Sequence, residues 1–152
     1  MTRLETKHLG ELDYTEDCLL TFPSGLAGFE RHRRFVFLTT PETVPLVSMQ
    51  SLDDRELCFI LLPILTIDPD YGLEMSPDDL EEIGLPLGRQ PRIGEDAFCA
   101  ALICAGSGAP PTANLLAPVV VNLANRVGMQ VIQSASGYSH QHPLLTESAT
   151  CS

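Results

Sequence analysis

The chain is 152 residues long, 44% of its residues are hydrophobic, and its formal net charge at pH 7 is -11. This length is typical of a single domain, and the apolar content excludes an intrinsically disordered chain. A protein this acidic repels a phosphate backbone, so direct nucleic-acid binding is disfavoured, and no apolar stretch approaches the ~18 residues of a membrane span.

Short runs of aliphatic, aromatic and β-branched residues predict strands along most of the chain. In chain order, the predicted strands cover residues 9–14, 18–22, 35–39, 47–52, 57–62, 97–105, 119–122 and 129–133. The run 57–62 is almost entirely apolar, which predicts either burial on both faces or a place in a barrel wall. The last two runs flank a glycine-containing loop, which is typical of a hairpin.

One short helix is predicted near residues 77–83. Ser76 is a good N-cap, and Pro77 suits the first helical position because its missing N–H is not needed there. Gly84 is a plausible end of the helix. Many short strands with one helix predict a mainly all-β fold, a closed or partly closed antiparallel β-barrel or sandwich. We expect a single domain over residues 1–152, with a disordered tail at 146–152.

The cysteine pattern and the N-terminus predict a cytoplasmic protein. Five cysteines, an odd number without paired spacing, argue against the disulfide framework of a small secreted protein. The first residues, Met1 to Thr6, lack the apolar core of a signal peptide.

The most prominent feature is a concentration of acidic residues between positions 68 and 82. Fifteen residues contain seven acids and no base, namely Asp68, Asp70, Glu74, Asp78, Asp79, Glu81 and Glu82. One interpretation is a solvated surface that adds solubility. The other is a docking surface for a basic partner, with the interleaved Tyr71, Leu73 and Met75 as apolar contacts, because exposed ion pairs contribute little by themselves.

Two further groups of charged residues allow more than one interpretation. Residues 31–34, Arg-His-Arg-Arg, form either a polar turn between strands or a cluster that pairs with an acidic surface, one within the same fold included. His140 and His142 would share one face of a strand, but no Cys, Asp or Glu lies near them, so solvated side chains are favoured over a metal pair.

Two other functions are alternatives to protein binding. Asp68 and Asp70 alternate along the chain and could perform the acid–base work of a hydrolase, although no partner nucleophile is evident. A small-ligand-binding β-barrel is the second alternative and would need an enclosed apolar cavity of at least ~300 Å³.

Several separated segments together resemble one family, the FliW flagellar assembly factors. Residues 20–30 are similar to the family's strand that ends in Phe, followed by a Gly-x-x-Gly-Phe-Glu loop. Residues 68–71, Asp-Pro-Asp-Tyr, resemble the stretch that precedes an acidic helix in the family. Residues 112–122 resemble its Thr-x-Asn-Leu-x-Ala-Pro-hydrophobic-Asn run. These segments occur in the family's order.

The resemblance implies a non-catalytic protein that binds two partners in turn and needs no cofactor. Members of the family bind flagellin, and they bind the RNA-binding translational regulator CsrA and so relieve its repression of flagellin synthesis. The acidic middle of the chain suits a basic partner. On this basis the residues predicted to form part of the CsrA-facing surface are Asp68, Asp70, Tyr71, Glu74, Asp78 and Asp79.

Overall fold

The structure, a computed structural model of the chain, describes residues 2–105, 108, 110–134 and 137–144. In chain order, its strands are β1 (Thr2–Thr6), β2 (Gly10–Tyr14), β3 (Leu19–Thr21), β4 (Arg34–Leu38), β5 (Val47–Ser51), β6 (Cys58–Pro63), β7 (Ala97–Cys104), β8 (Thr112–Asn122), β9 (Gly128–Gln130) and β10 (His142–Pro143). One α-helix, α1, spans Pro77–Glu82, and two short 3-10 helices span Glu16–Cys18 and Ile64–Thr66. The tail predicted at 146–152 lies outside the described residues.

Eight of the strands form one antiparallel sheet that curves into a nearly closed barrel. Hydrogen-bonded neighbours follow the order β10-β8-β7-β6-β5-β4-β3, and β9 also pairs with β8. The last strand in this order, β3, contacts the residues just before β9: the Thr21 amide donates to the Arg126 carbonyl at 3.0 Å, and Thr21 bridges to Val127. This contact brings the two sides of the sheet together and confirms the predicted all-β, barrel-like fold.

The first two strands form a separate two-stranded sheet. β2 was predicted, but its partner β1 was not, because Thr2–Thr6 has no clear apolar alternation. The Lys7 amide, in the turn between them, donates to the Arg55 carbonyl at 3.1 Å. The hairpin is thereby attached to the turn between β5 and β6.

Large apolar side chains fill the inner face of the barrel. Phe22, Phe35, Met49 and Leu61 are fully buried, and the rings of Phe22 and Phe35 meet edge to face with centroids 5.2 Å apart. Strand residues point alternately to opposite faces, so each strand contributes every second residue. Within β6, Leu61 points inward while Ile60 is 37% exposed, so this strand is part of the barrel wall and is not buried on both faces.

The chain between β6 and β7 covers the outer face of β7 and β8. This chain and the two strands enclose a second cluster of buried apolar side chains, separate from the one inside the barrel. Leu80 of α1 and Ile83, which directly follows the helix, belong to it. The helix begins after Ser76, whose hydroxyl accepts a hydrogen bond from the Asp79 amide at 3.1 Å. Beyond it Gly84 adopts a φ of +77°, as expected at a helix end. The predicted helix is confirmed, and packing of its inner side places the acidic residues on the barrel surface.

Candidate functional site

The acidic segment, residues 68–82, crosses the outside of the barrel with its apolar and acidic side chains on opposite sides. Tyr71, Leu73 and Met75 are 6%, 7% and 3% exposed, whereas Asp70 and Glu74 are exposed. The prediction that the three apolar residues offer surface contacts is therefore wrong. Alternate residues of an extended chain point to opposite sides, and here the apolar side packs into the core.

Two glutamine side chains hold the backbone of the acidic segment as a neighbouring strand would. The Glu74 amide donates to Gln133 Oε1 at 2.9 Å, and Gln133 Nε2 donates to the Glu74 carbonyl at 2.7 Å. Gln90 makes the same pair of bonds with Met75, at 2.8 Å and 3.1 Å. These four hydrogen bonds fix the backbone from which the Glu74 side chain projects.

The start of the acidic segment is a turn. The Asp68 carboxylate accepts a hydrogen bond from the Asp70 amide at 3.0 Å, a local bond that aspartates commonly make in turns. Next along the chain, the Tyr71 hydroxyl donates to the Leu115 carbonyl at 2.6 Å, and its ring stacks on Tyr138 with centroids 4.3 Å apart. The turn is therefore anchored to strand β8, with Asp70 exposed and Asp68 half-buried.

The end of the acidic segment is α1. Asp78 and Asp79 occupy its first turn, where negative charge is favoured by the unsatisfied amides of the helix N-terminus. Asp78 is exposed and Asp79 is half-buried. Glu74, which is also at the surface, lies only a few residues before these two aspartates in the chain.

The seven carboxylates of the acidic segment have no basic partner among the described residues. The ion pairs among the described residues all use acids outside this segment. Arg34 pairs with Asp53, for example, and Arg89 pairs with Asp96. The negative field of the segment is thus uncompensated locally, and a positively charged partner would be attracted to it.

The basic cluster at residues 31–34 does not pair with the acidic segment. Arg34 donates to Asp53 from its side chain at 3.0 Å and from its amide at 3.1 Å, and the Arg33 amide donates to the same carboxylate at 2.9 Å. Burial opposes ionisation of Asp53, but these donors together hold its pKa below the usual range. The cluster is a polar connection into β4 with its own acidic partner.

One apolar residue that the sequence did not reveal is exposed beside the acidic segment. Ile132, just after β9, is 66% exposed. It lines a surface cleft of about 290 Å³ together with Glu74 and Asp79. It also lines a second cleft, of about 210 Å³, together with Glu30 and Glu82. The alternation of buried Val131, exposed Ile132 and buried Gln133 becomes informative only once the face of the strand is known.

The geometry bears on the two alternative functions. The inner face of the barrel, where a small ligand would bind, is filled by the buried side chains of its core. Asp68 and Asp70 line neither of the two clefts that Ile132 shares. Neither arrangement provides a specific observation in favour of a ligand-binding barrel or a hydrolase.

The described residues offer no metal site and no membrane-spanning helix. In the described ranges, no group of three or more His, Cys, Asp or Glu side chains is placed to hold a metal ion. His140 is exposed, and His142 pairs with Ala113 in the β10–β8 ladder. No helix among the described residues has the length and apolar character needed to cross a membrane.

Comparison with known proteins gives a consistent result. The chain matches one family model, described as FliW protein, over residues 3–144. The flagellar assembly factor FliW of Natranaerobius thermophilus is 30% identical over 150 residues, which are 97% of this chain and 95% of that protein. Its counterpart in Bacillus subtilis is 30% identical over 145 residues, covering 95% and 98%. A crystal structure of the flagellar assembly factor FliW aligns with a TM-score of 0.83 at 27% identity, covering 96% of this chain and 99% of that one.

Proposed function

Because this chain belongs to the FliW family of flagellar assembly factors, we propose that it acts in the cytoplasm by binding flagellin and CsrA, without catalysis. Bound to the chain, CsrA no longer represses the translation of flagellin. Flagellin that accumulates occupies the chain instead, CsrA is released, and translation falls. Such a switch between partners requires binding surfaces and no reactive group.

The uncompensated charge of the acidic segment is the observation that carries the CsrA part of this proposal. CsrA binds RNA and must therefore present positive charge to a phosphate backbone. A surface segment with seven acids, none of them in an ion pair with a described residue, attracts such a protein and speeds their encounter. We assign the CsrA-facing role to Asp68, Asp70, Glu74, Asp78 and Asp79, and remove Tyr71 because its ring is buried.

The rigidity of the acidic segment supports the same assignment. Its backbone is held by Gln133 and Gln90, and buried side chains anchor it from below. A surface that is already ordered loses little conformational entropy when a partner binds. The backbone that carries Glu74 is thus held in place before a partner arrives.

Calorimetric titration with CsrA from the same organism, at low and moderate salt, tests the proposal. Wild-type chain should bind tightly, and more weakly at the higher salt, because charges at the interface are screened. The double variant Asp70→Lys/Glu74→Lys should bind at least about tenfold more weakly at low salt, with a smaller salt dependence.

A matched control separates local contact from net charge. Glu16→Lys/Asp17→Lys also reverses two exposed acids and changes the net charge by the same amount, but both lie in the 3-10 helix before β3. It should bind nearly as wild type does. Equal binding by wild type and Asp70→Lys/Glu74→Lys would reject the assigned surface, and no binding by wild type at either salt would reject CsrA as the partner.

A further inference from the structure

We propose that the acidic segment forms one side of a docking groove, and that the groove binds a basic segment of the partner that carries an apolar side chain. The groove consists of the two clefts that both have Ile132 in their lining, and we call it the Ile132 groove. This inference rests on the proposed function and adds to it the anchor residue and the chemistry of the segment that is recognised.

Ile132 is held outward by its neighbours in the chain. The Val131 amide donates to the Pro118 carbonyl at 2.9 Å, and the Gln133 amide donates to the Leu116 carbonyl at 2.7 Å. Val131 is fully buried. The backbone on both sides of Ile132 is therefore fixed, and its branched side chain, which has few rotamers, is presented to solvent.

Carboxylates line both clefts of the Ile132 groove. Glu74 and Asp79 line the first cleft, Glu30 and Glu82 line the second, and none of the described residues that line either cleft is a Lys, Arg or His. The Ser24 hydroxyl donates to Glu82 at 3.0 Å, which connects the loop after β3 to the acidic segment. The amide of Gly28 holds the pKa of Glu30 below its usual range, so this carboxylate stays charged.

The chemistry of the occupant follows from this arrangement. Four carboxylates without a base select a positively charged segment and repel an acidic one. Exposed ion pairs contribute little affinity, whereas a few well-packed and desolvated side chains near the centre of an interface contribute most of it. A segment with Lys or Arg on both sides of one apolar side chain would satisfy both requirements, with the apolar group against Ile132.

Titration of CsrA into variants at Ile132 tests the groove. Ile132→Ser removes the apolar group and keeps every carboxylate, and it should weaken binding about tenfold or more. Ile132→Leu should retain binding within a few-fold. The control Leu87→Ser alters another exposed aliphatic residue, 58% exposed and outside the groove lining, and it should bind as wild type does.

The outcomes separate this inference from the proposed function. If wild type binds CsrA and Ile132→Ser binds equally well, the groove is rejected while the CsrA partnership stands. If Ile132→Ser and Leu87→Ser lose the same affinity, general surface hydrophobicity explains the effect and the groove is again rejected. If wild type does not bind, both the proposed function and the groove fail.

Discussion

The hydroxyl of Tyr71 fixes the acidic segment to the barrel. It donates to the Leu115 carbonyl at 2.6 Å, and the Tyr71 side chain is buried, with 6% exposure. Burial raises the pKa of this phenol well above its ordinary value, and the nearby Cys99, Tyr138 and Asp68 act in the same direction. The hydroxyl therefore remains a donor at all physiological pH values, and Tyr71 supports the surface from beneath.

The variant Tyr71→Phe separates this supporting role from partner contact. It leaves the buried Leu115 carbonyl without its donor and should lower the free energy of unfolding by about 1–3 kcal/mol, measured by urea denaturation. Affinity for CsrA should not change, because the hydroxyl does not reach the surface. Tyr14→Phe, at a half-buried ring on β2, is the control and should change stability by less than about 0.5 kcal/mol. A loss of affinity in Tyr71→Phe without a loss of stability would return Tyr71 to the interface.

The loop between β3 and β4 forms part of the Ile132 groove, and two glycines shape it for different reasons. Gly25 has a φ of +65°, and a Cβ there would lie 2.6 Å from both the Glu30 Cα and the Phe29 carbonyl oxygen. Gly28 has a φ of +85°, but a Cβ there would meet nothing within 4 Å. The positive φ disfavours a side chain at both positions. At Gly25 a side chain would in addition collide with the neighbouring backbone.

Alanine at each glycine measures the two effects separately. Gly28→Ala should cost about 1–2 kcal/mol of stability, the usual penalty for the left-handed conformation. Gly25→Ala should cost clearly more, because the backbone of residues 29 and 30 must also move. Urea midpoints of the two variants provide the comparison. Equal midpoints would mean that the loop relaxes freely around Gly25 and that the close approach has no energetic consequence.

The elements predicted from sequence are those whose signals are local. The helix was found because Ser76 and Gly84 mark its ends within a few residues of chain. The first half of β8 was missed because Asn114 and Pro118 are typical of loops. In the structure Asn114 accepts bonds from the amides of Leu116 and Ala117 while the strand continues. Its partner β7 determines that outcome, and strand pairing over such distances is not encoded locally.

The candidate site was predictable in its charge and not in its apolar part. The acids at 68–82 are evident in the sequence, but the side to which Tyr71, Leu73 and Met75 point depends on the barrel beneath them. The alternation of apolar and other residues at 71–75 is typical of an extended segment with one buried side. This pattern already favours burial of the three apolar residues. Ile132 carries no such signal, since its exposure depends on the register of β8 with β9.

At the scale of the whole molecule, acidic residues outnumber basic residues by 20 to 9. Asp96 is one of the acids that the fold pairs. It accepts hydrogen bonds from Arg89 Nη1 at 2.7 Å and from the Arg92 amide at 2.8 Å, and its side chain is 17% exposed. Its own carbonyl accepts from the Leu123 amide at 3.2 Å. Asp96 thus joins the connector before β7 to the turn after β8.

The pH dependence of stability should report on Asp96. The Arg89 side chain, followed by the Arg92 amide, holds the pKa of Asp96 well below its usual range. Because the folded state then binds this proton less readily than the unfolded state, Asp96 stabilises the fold above its unfolded pKa of about 3.9, and the stabilisation is lost progressively as the pH falls below that value. Asp96→Asn should therefore lower the urea midpoint at pH 7, with a penalty that shrinks below about pH 4.

The neighbouring Glu95 provides the control for this prediction. Glu95 pairs with the Arg92 guanidinium at 2.9 Å, but its side chain is 63% exposed, and exposed ion pairs contribute little to stability. Glu95→Gln should leave the urea midpoint nearly unchanged at both pH values. A penalty in Asp96→Asn that is the same at pH 7 and below pH 4 would show that packing of the connector, and not the charge of Asp96, holds this part of the molecule.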